Sequence, residues 1–382
     1  MLGKGSLTDR VESNSKTRFL VSAERDPQFP ILEAQSELDW ADRKVYNPSV
    51  FVFNGTIHMF FRAIGKRDNM SRLGHAVSSD GINFSVDPQP FLESEGPSEP
   101  IGVEDPRFTI MDEPFMLDRK QYNIVGTVTG PKAWTSKIKL IAISDDLSSI
   151  SARYDMLPGW DMNKTEDNRD LWNTPKGRPI IYPGFDPAQW NEELFGGWAK
   201  AAGIFPIKIN GQYWALWGEY KIRAAISKDL MHWEVIDEPV LSQRKGKFDQ
   251  AYLEMGPPPI DTQYGWLVFY NGINSLEQEG RIYGVGWAML DKNDPTKVID
   301  RSDTAILLPE TEDEMVGEID IALINGKTVH KLTPEEFAQN KDKIPMAVFC
   351  NGAIKRSDNN YSLYYGAGDK CIKRAVVKLS SI

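Results

Sequence analysis

Two acids stand side by side next to an arginine in Gly102-Val-Glu104-Asp105-Pro106-Arg107. Adjacent carboxyl groups opening a strand suit acid–base chemistry, because one can donate a proton while the other pairs or orients. Successive side chains of a regular strand point to opposite faces. One acid is therefore expected to reach a pocket while its neighbour pairs or packs. Asp105 is the candidate general acid, with partial burial raising its pKa; a structural Asp–Arg pair at a strand start is the alternative. Two further acids stand at strand-like runs: Glu219 after Trp217-Gly218, and Glu254 in Tyr252-Leu-Glu254-Met-Gly256.

The absent motifs narrow the chemistry. His58, His75, His232 and His330 show no metal-ligand spacing, so no metal is expected. There is no Gly-x-Ser-x-Gly and no P-loop. Gly284-Val-Gly286 lacks a third glycine and a following helix, so no dinucleotide cofactor is expected either. Carboxylates, arginines and aromatics remain. They suit a carbohydrate pocket, where Trp and Tyr meet sugar faces and Asp, Asn and Arg meet hydroxyls.

The elements holding these residues must be mostly strands. The 382 residues include 24 prolines and 11 tryptophans, which favours many short elements over long helices. Asn54-Gly55 and Asn210-Gly211, each between apolar strand-like runs, are strong hairpin signals. Helix starts are expected only at Asp186-Pro187 and Thr333-Pro334, where an N-cap precedes proline. Ala76-Val-Ser-Ser-Asp80, Ala142-Ile-Ser-Asp-Asp146 and Ala225-Ile-Ser-Lys-Asp229 repeat one pattern, with weaker echoes at Asp291 and Asp369. Prolines 48, 106, 206, 259 and 345 recur at strand starts, where a missing donor is tolerated. Five units of this kind predict an all-β five-bladed β-propeller with helical and loop insertions. Residues 1–44 are expected to form an extension packing on the propeller, and 45–382 the single catalytic domain, with insertions near 154–198 and 326–343.

A net charge of −10 argues against nucleic-acid or anionic-membrane partners. No apolar run is long enough to span a membrane. The first ten residues carry no secretory apolar core, so a cytoplasmic chain, or a periplasmic one whose signal was removed, is expected. Cys350 and Cys371 read as free thiols.

With these elements in place, a family resemblance emerges. Tyr46-Asn47-Pro48, Phe61-Arg62-Ala63, Ser71-Arg-Leu-Gly74, Gly102-Val-Glu-Asp-Pro-Arg107 and Lys200 through Phe205-Pro206 come in one order. Pro257-Pro-Pro-Ile260, Leu308-Pro-Glu310, Glu314-x-x-Gly317 and Tyr364-Tyr-Gly-Ala-Gly-Asp369 follow. Over roughly residues 45 to 376 this resembles glycoside hydrolase family 130. The resemblance implies a five-bladed propeller acting on β-mannosides with inversion, as phosphorylase or hydrolase. It implies Asp105 as proton donor, in phosphorylases through a sugar hydroxyl. Asn47, Arg62, Glu104 and Asp369 would hold the mannosyl unit, while Arg107 stays structural.

The chain departs from the phosphorylase pattern where phosphate would sit. A His-Arg pair usual after the second Asn-Gly strand is replaced by Trp217-Gly218, followed by Glu219. No arginine lies between Arg119 and Arg153, and Glu254 adds another acid. Arg72 and Lys200 remain as basic candidates. Phosphate binding prefers arginine forks, whereas a water nucleophile needs a carboxylate base. The family's hydrolase branch shows similar losses and acts on β-1,2-mannosides, so the resemblance implies an inverting exo-acting β-mannosidase on short, β-1,2-linked mannosides, with Asp105 as acid and Glu219 or Glu254 as base. A β-mannoside phosphorylase and a non-catalytic carbohydrate-binding propeller are the rivals. Trp172, Trp190, Trp198 and Trp217 are candidates for a leaving-group platform or for core. The insertions would set subsite number or homo-oligomer packing.

Overall fold

The computed structural model describes residues 19–96, 99, 101–132, 135–157, 199–275, 281–315, 322–324, 327–329, 335 and 346–382. Among them the chain is almost entirely strand. β1 (Phe19–Arg25) pairs with the C-terminal strand of the chain and not with the strands that follow it. The first sheet is β2 (Lys44–Phe53), β3 (Thr56–Ile64), β4 (Ser71–Ser78) and β5 (Ser85–Val86). The second is β6 (Glu104–Leu117), β7 (Lys120–Lys132), β8 (Thr135–Ile143) and β9 (Tyr154–Asp155). The third is β10 (Ala202–Ile204), β11 (Tyr213–Trp217), β12 (Ile222–Ser227) and β13 (Trp233–Leu241).

The rest form a nine-stranded sheet that divides in two. One part holds β14 (Tyr252–Met255), β15 (Ile260–Thr262), β16 (Gly265–Ile273), β17 (Ile282–Leu290) and β18 (Val298–Arg301). A small ribbon follows, β19 (Ala322–Ile324) with β20 (Lys327–Val329). The other part holds β21 (Met346–Ser357), β22 (Asn360–Ala367), β23 (Cys371–Ser381) and β1, which pairs along β23 from Phe19↔Ser381 to Arg25↔Ala375. Residues 19–25 thus complete the last sheet as an antiparallel strand. The two parts join through a short parallel pairing, Ile282↔Met346 and Tyr283↔Ala347.

Local sequence explains the hairpins. Asn54 and Gly55 have φ of +50° and +77°, and Asn210 and Gly211 have +54° and +77°. Two left-handed residues in a row make the turn whose twist matches antiparallel strands. The repeated Ser-x-Asp pattern is one turn in one place, following the third strand of each of the first three sheets. Ser78 Oγ accepts from Gly81 N and Ser227 Oγ from Leu230 N, both at 2.9 Å; Ser144 Oγ donates to Asp146 at 2.6 Å.

Packing links the sheets in order. Five apolar clusters each draw on two consecutive sheets. Phe60 and Leu73 meet Phe108 and Ile124; Val125 and Leu140 meet Ala202 and Trp217. Leu216 and Ile222 meet Leu253 and Trp266, and Phe269 and Val285 meet Val348 and Tyr361. The fifth returns to the start, with Ile354 and Ile372 against Val45 and Phe61. Burying side chains such as Phe60, Trp266 and Phe269 stabilises the chain by about 1.5–3 kcal/mol each. β2 touches β6, β6 touches β10, β11 touches β14, β16 touches β21, and β21 touches β2.

The expected helix starts at Asp186-Pro187 and Thr333-Pro334 lie outside the described residues, as do Trp172, Trp190 and Trp198 and most of both insertions.

Candidate active site

The site is built where the leading strands of the sheets depart from regular geometry. β2 slips register between Tyr46 and Ser49, and β6 between Glu104 and Arg107. Asn47 and Asp105 sit in these bulges with φ of +47° and +50°. Bulges re-aim side chains, and here they overturn the expectation that Glu104 and Asp105 point apart. Both meet one guanidinium: Arg62 Nη2 lies 2.5 Å from Glu104 Oε1, and Arg62 Nη1 lies 3.4 Å from Asp105 Oδ1. Arg62 reaches them from β3, donates through Nε to Ser71 Oγ at 3.0 Å, and lies over the Tyr46 ring. Asn47 Nδ2 donates to Asp105 Oδ1 at 2.9 Å. Gly102 lets the chain enter this bend: its φ is +108°, and a Cβ there would fall 1.9 Å from the Ser71 carbonyl oxygen.

Asp105 also departs from its expected ionisation. It is completely buried, not partly so. Burial alone would raise its pKa, but the charges of Lys200, Arg62 and Arg107 and the Asn47 hydrogen bond outweigh it. They hold the carboxyl well below the usual range. Glu104 moves the other way, raised by burial and by the charge of Asp105 against the pull of Arg62.

The second half of the site comes from three stitched segments. Gly218 N donates to Ala201 O, Tyr220 N to Leu253 O and Met255 N to Gly218 O. Glu219 and Glu254 face each other across an isolated antiparallel bridge. Lys200 stands between the halves, with Nζ 3.3 Å from Asp105 Oδ2 and 3.9 Å from Glu219 Oε1. Burial works against its charge, yet Glu254, Asp105, Glu219 and Glu104 together keep its pKa well above the ordinary value. Glu254 is pushed up to about 8, chiefly by burial and by Glu219, against Lys200 and Arg107. Tyr252, two residues earlier on the same face of β14, hydrogen-bonds Glu219.

Arg107 underlies both halves and is fully buried. Its Nε donates to Gly256 O, Nη1 to Asp105 O, and Nη2 to Met255 O and Asn351 Oδ1. Nη2 also lies 3.5 Å from Glu254 Oε1. This one side chain ties β6, the end of β14 and β21 together, a structural role.

Asn47, Arg62, Glu104, Asp105, Lys200, Glu219 and Glu254 therefore converge. Asp369 joins them in the β22–β23 turn with φ of +55°, near enough to act electrostatically on Arg62, Tyr46 and Glu104. Two expected site residues are not brought in. Arg72 alternates with Ser71 on β4 and is held by Asp68 at 2.6 Å and Glu93 at 2.7 Å. Trp217 is fully buried between the second and third sheets, so its ring presents no open face to a sugar. The sequence reading missed Tyr252 and Asn351. Tyr252 was reachable from its two-residue spacing to Glu254. Asn351 carried no sequence signal, because the bulge in β21 that places it shows only in the strand pairing.

Buried carboxylates gripped by arginine, lysine and asparagine donors on a strand scaffold are the equipment of a carbohydrate-active protein. Comparison with known proteins gives the family. A family model described as beta-1,4-mannooligosaccharide phosphorylase, glycoside hydrolase family 130, matches residues 22–141 and 185–329. The chain belongs to glycoside hydrolase family 130. A 1,2-beta-oligomannan phosphorylase of Thermoanaerobacter sp. (strain X514) is 28% identical over 371 residues, covering 95% of this chain and 99% of the relative. Among solved structures, a putative glycoside hydrolase from Bacteroides ovatus ATCC 8483 superposes with a TM-score of 0.66 at 26% identity, covering 93% and 95% of the two chains. A structure from work on family glycoside hydrolases that target beta-1,2 mannosidic linkages in Candida mannan gives 0.68 at 24% identity, covering 96% and 95%; that likeness is one of fold.

Proposed function

We propose that this chain is an inverting, exo-acting β-mannosidase that hydrolyses short β-1,2-linked mannosides on a five-bladed β-propeller. Five antiparallel strand groups, joined by five apolar clusters that close on themselves, support the propeller. The linkage is argued from the 1,2-linked substrates named for three curated relatives; a fourth, which matches half of this chain, is named for β-1,4-mannooligosaccharides.

The carrying observation is Lys200 held between two acids, Asp105 at 3.3 Å and Glu219 at 3.9 Å, so that the lysine charge of the pocket is already matched by carboxylate charge. A phosphate charge about 4 Å from one ionised acid is repelled by about 4 kcal/mol at an effective dielectric near 20. Lys200 offsets one such repulsion, while Arg62 and Arg107 are engaged with Glu104 and with backbone carbonyls. Water meets no such penalty. Glu219 is the base, because Glu254 with its pKa near 8 keeps its proton at neutral pH. The distances from Lys200 bound the separation of Asp105 Oδ2 and Glu219 Oε1 at about 7 Å in the free chain, so the roughly 6.5–9.5 Å used by inverting enzymes requires the two acids to stand nearly in line across Lys200 or to part when sugar displaces it.

In this reading Glu219 takes a proton from water on the face opposite the leaving group, and Asp105 delivers one to the glycosidic oxygen. Asn47, Arg62, Glu104 and Asp369 hold the mannosyl unit. Because Lys200 and Arg62 hold Asp105 ionised in the free chain, the bound sugar must draw Lys200 away so that Asp105 takes up a proton before cleavage.

The second reading, phosphorolysis, is favoured by the curated relatives being phosphorylases, and it would give Lys200 to phosphate. Turnover of β-1,2-mannobiose with and without inorganic phosphate separates the two. Free mannose at equal rates in both conditions is expected. Mannose 1-phosphate formed only with phosphate would overturn hydrolysis.

A further inference from the structure

Beneath the catalytic carboxyls lie two buried polar atoms of complementary sense, both without a hydrogen-bond partner among the described residues: Asn351 Nδ2, a donor, and Glu254 Oε1, an acceptor. Their side chains meet at one nitrogen. Arg107 Nη2 donates to Asn351 Oδ1 at 3.1 Å and stands 3.5 Å from Glu254 Oε1. The Arg107 bond fixes the amide's orientation, because only the oxygen can accept from a guanidinium.

The backbone around Asn351 is fixed as firmly. Asn351 is the extra residue of a bulge, since Cys350 pairs with Tyr365 and Gly352 with Tyr364. Asn271, directly opposite Glu254 in the β14–β16 ladder, clamps the preceding residue. Its Oδ1 accepts from Cys350 N at 2.8 Å and its Nδ2 donates to Cys350 O at 3.2 Å. Asn271 is thereby satisfied on both atoms and leaves the neighbouring donor and acceptor to each other. They are not hydrogen-bonded to each other. A buried donor and acceptor on a shared polar anchor supply the polar partners that an internal water needs.

We propose that Asn351, aimed by Arg107, holds an internal water against Oε1 of Glu254 and is thereby a positioning residue of the active site. The proposal rests on Glu254 belonging to the catalytic pocket, as argued above. A water accepting from Asn351 donates to the carboxyl and favours its charged form. It acts beside the charges facing Glu254 from every side: Lys200, Glu219, Arg107 and Asp105, with the hydroxyls of Tyr252 and Tyr283 close enough to feel it.

The test follows Glu254 directly, as the protonated-carboxyl infrared band that Glu254→Gln lacks, across pH 5 to 10. Asn351→Leu removes both amide atoms; Asn351→Asp keeps the acceptor for Arg107 and loses only the donor. The band's midpoint should rise by about one pH unit in Asn351→Leu, and further in Asn351→Asp, where a second acid adds its charge. Midpoints identical to the parent in both variants would overturn the proposal, leaving Asn351 a packing role. Should either variant fail to fold, a crystal structure of the parent that orders its waters decides. One water within about 3.2 Å of both atoms supports the proposal; either atom bonded to another group refutes it. The readout needs no turnover, so phosphate-dependent activity would sink the hydrolytic reading and leave this one standing.

Discussion

Replacing Glu254 by glutamine should stabilise the protein, increasingly as pH rises from about 4.5 to about 8. The folded carboxyl titrates near 8 against an ordinary 4.5. Between those values the folded chain keeps a proton that the unfolded chain has released. Stability therefore falls as pH rises through that window and levels off above about 8. The side chain is only 3% exposed, so solvent screens little of the effect. At about 1.36 kcal/mol per pH unit, the full shift amounts to about 5 kcal/mol, of which about 1 kcal/mol is already lost at pH 5. Glutamine has nearly the same shape and never ionises, so the variant should lack this loss. Denaturant unfolding of both proteins at pH 5, 7 and 9 measures it. The variant's stability relative to the parent should climb by about 3–5 kcal/mol between pH 5 and 9. A difference that stays flat, or climbs toward acid, would mean that Lys200 and Arg107 win over burial. Glu254 would then be ionised at neutral pH and regain its claim as base.

Asp105→Asn should lower turnover by about 10²–10⁴-fold with the fold intact by circular dichroism. It should also remove a stabilising contribution present above pH 4 and lost on acidification, because Asp105 titrates below its ordinary value in the folded chain. Glu219→Ala should be inactive with water, and added azide should restore turnover by giving the α-mannosyl azide, the product of inversion, read by NMR. A β-azide would mean retention and overturn inversion, whereas rescue of Glu254→Ala in its place would reassign the base. Gly102→Ala should cost more than about 1 kcal/mol of stability and most of the activity, since its φ of +108° and a Cβ 1.9 Å from Ser71 O force the Glu104–Asp105 bend to move.

What was legible in the sequence was local. Asn-Gly turns, the Ser-x-Asp repeat and the acidic motif each depend on a few neighbouring residues, and each appears where expected. The geometry of Glu104 and Asp105 was not legible, because strand alternation assumes regular pairing and the bulge at Asp105 breaks it. Asp105's ionisation was misread for a related reason. Its decisive neighbour, Lys200, is 95 positions away and arrives through a different sheet. Trp217 failed differently. Alternation reveals a side chain's face only when one face meets water, and every residue of Tyr213–Trp217 is buried. Tyr213, Ala215 and Trp217 pack toward the second sheet, while Trp214 and Leu216 pack toward the fourth. A strand buried on both sides carries no pattern that separates core from platform. The strand's last ordinary residue is thus core, and the chemistry begins one step later, at Gly218. Its φ of +122° turns the chain out of the sheet and delivers Glu219 to Lys200.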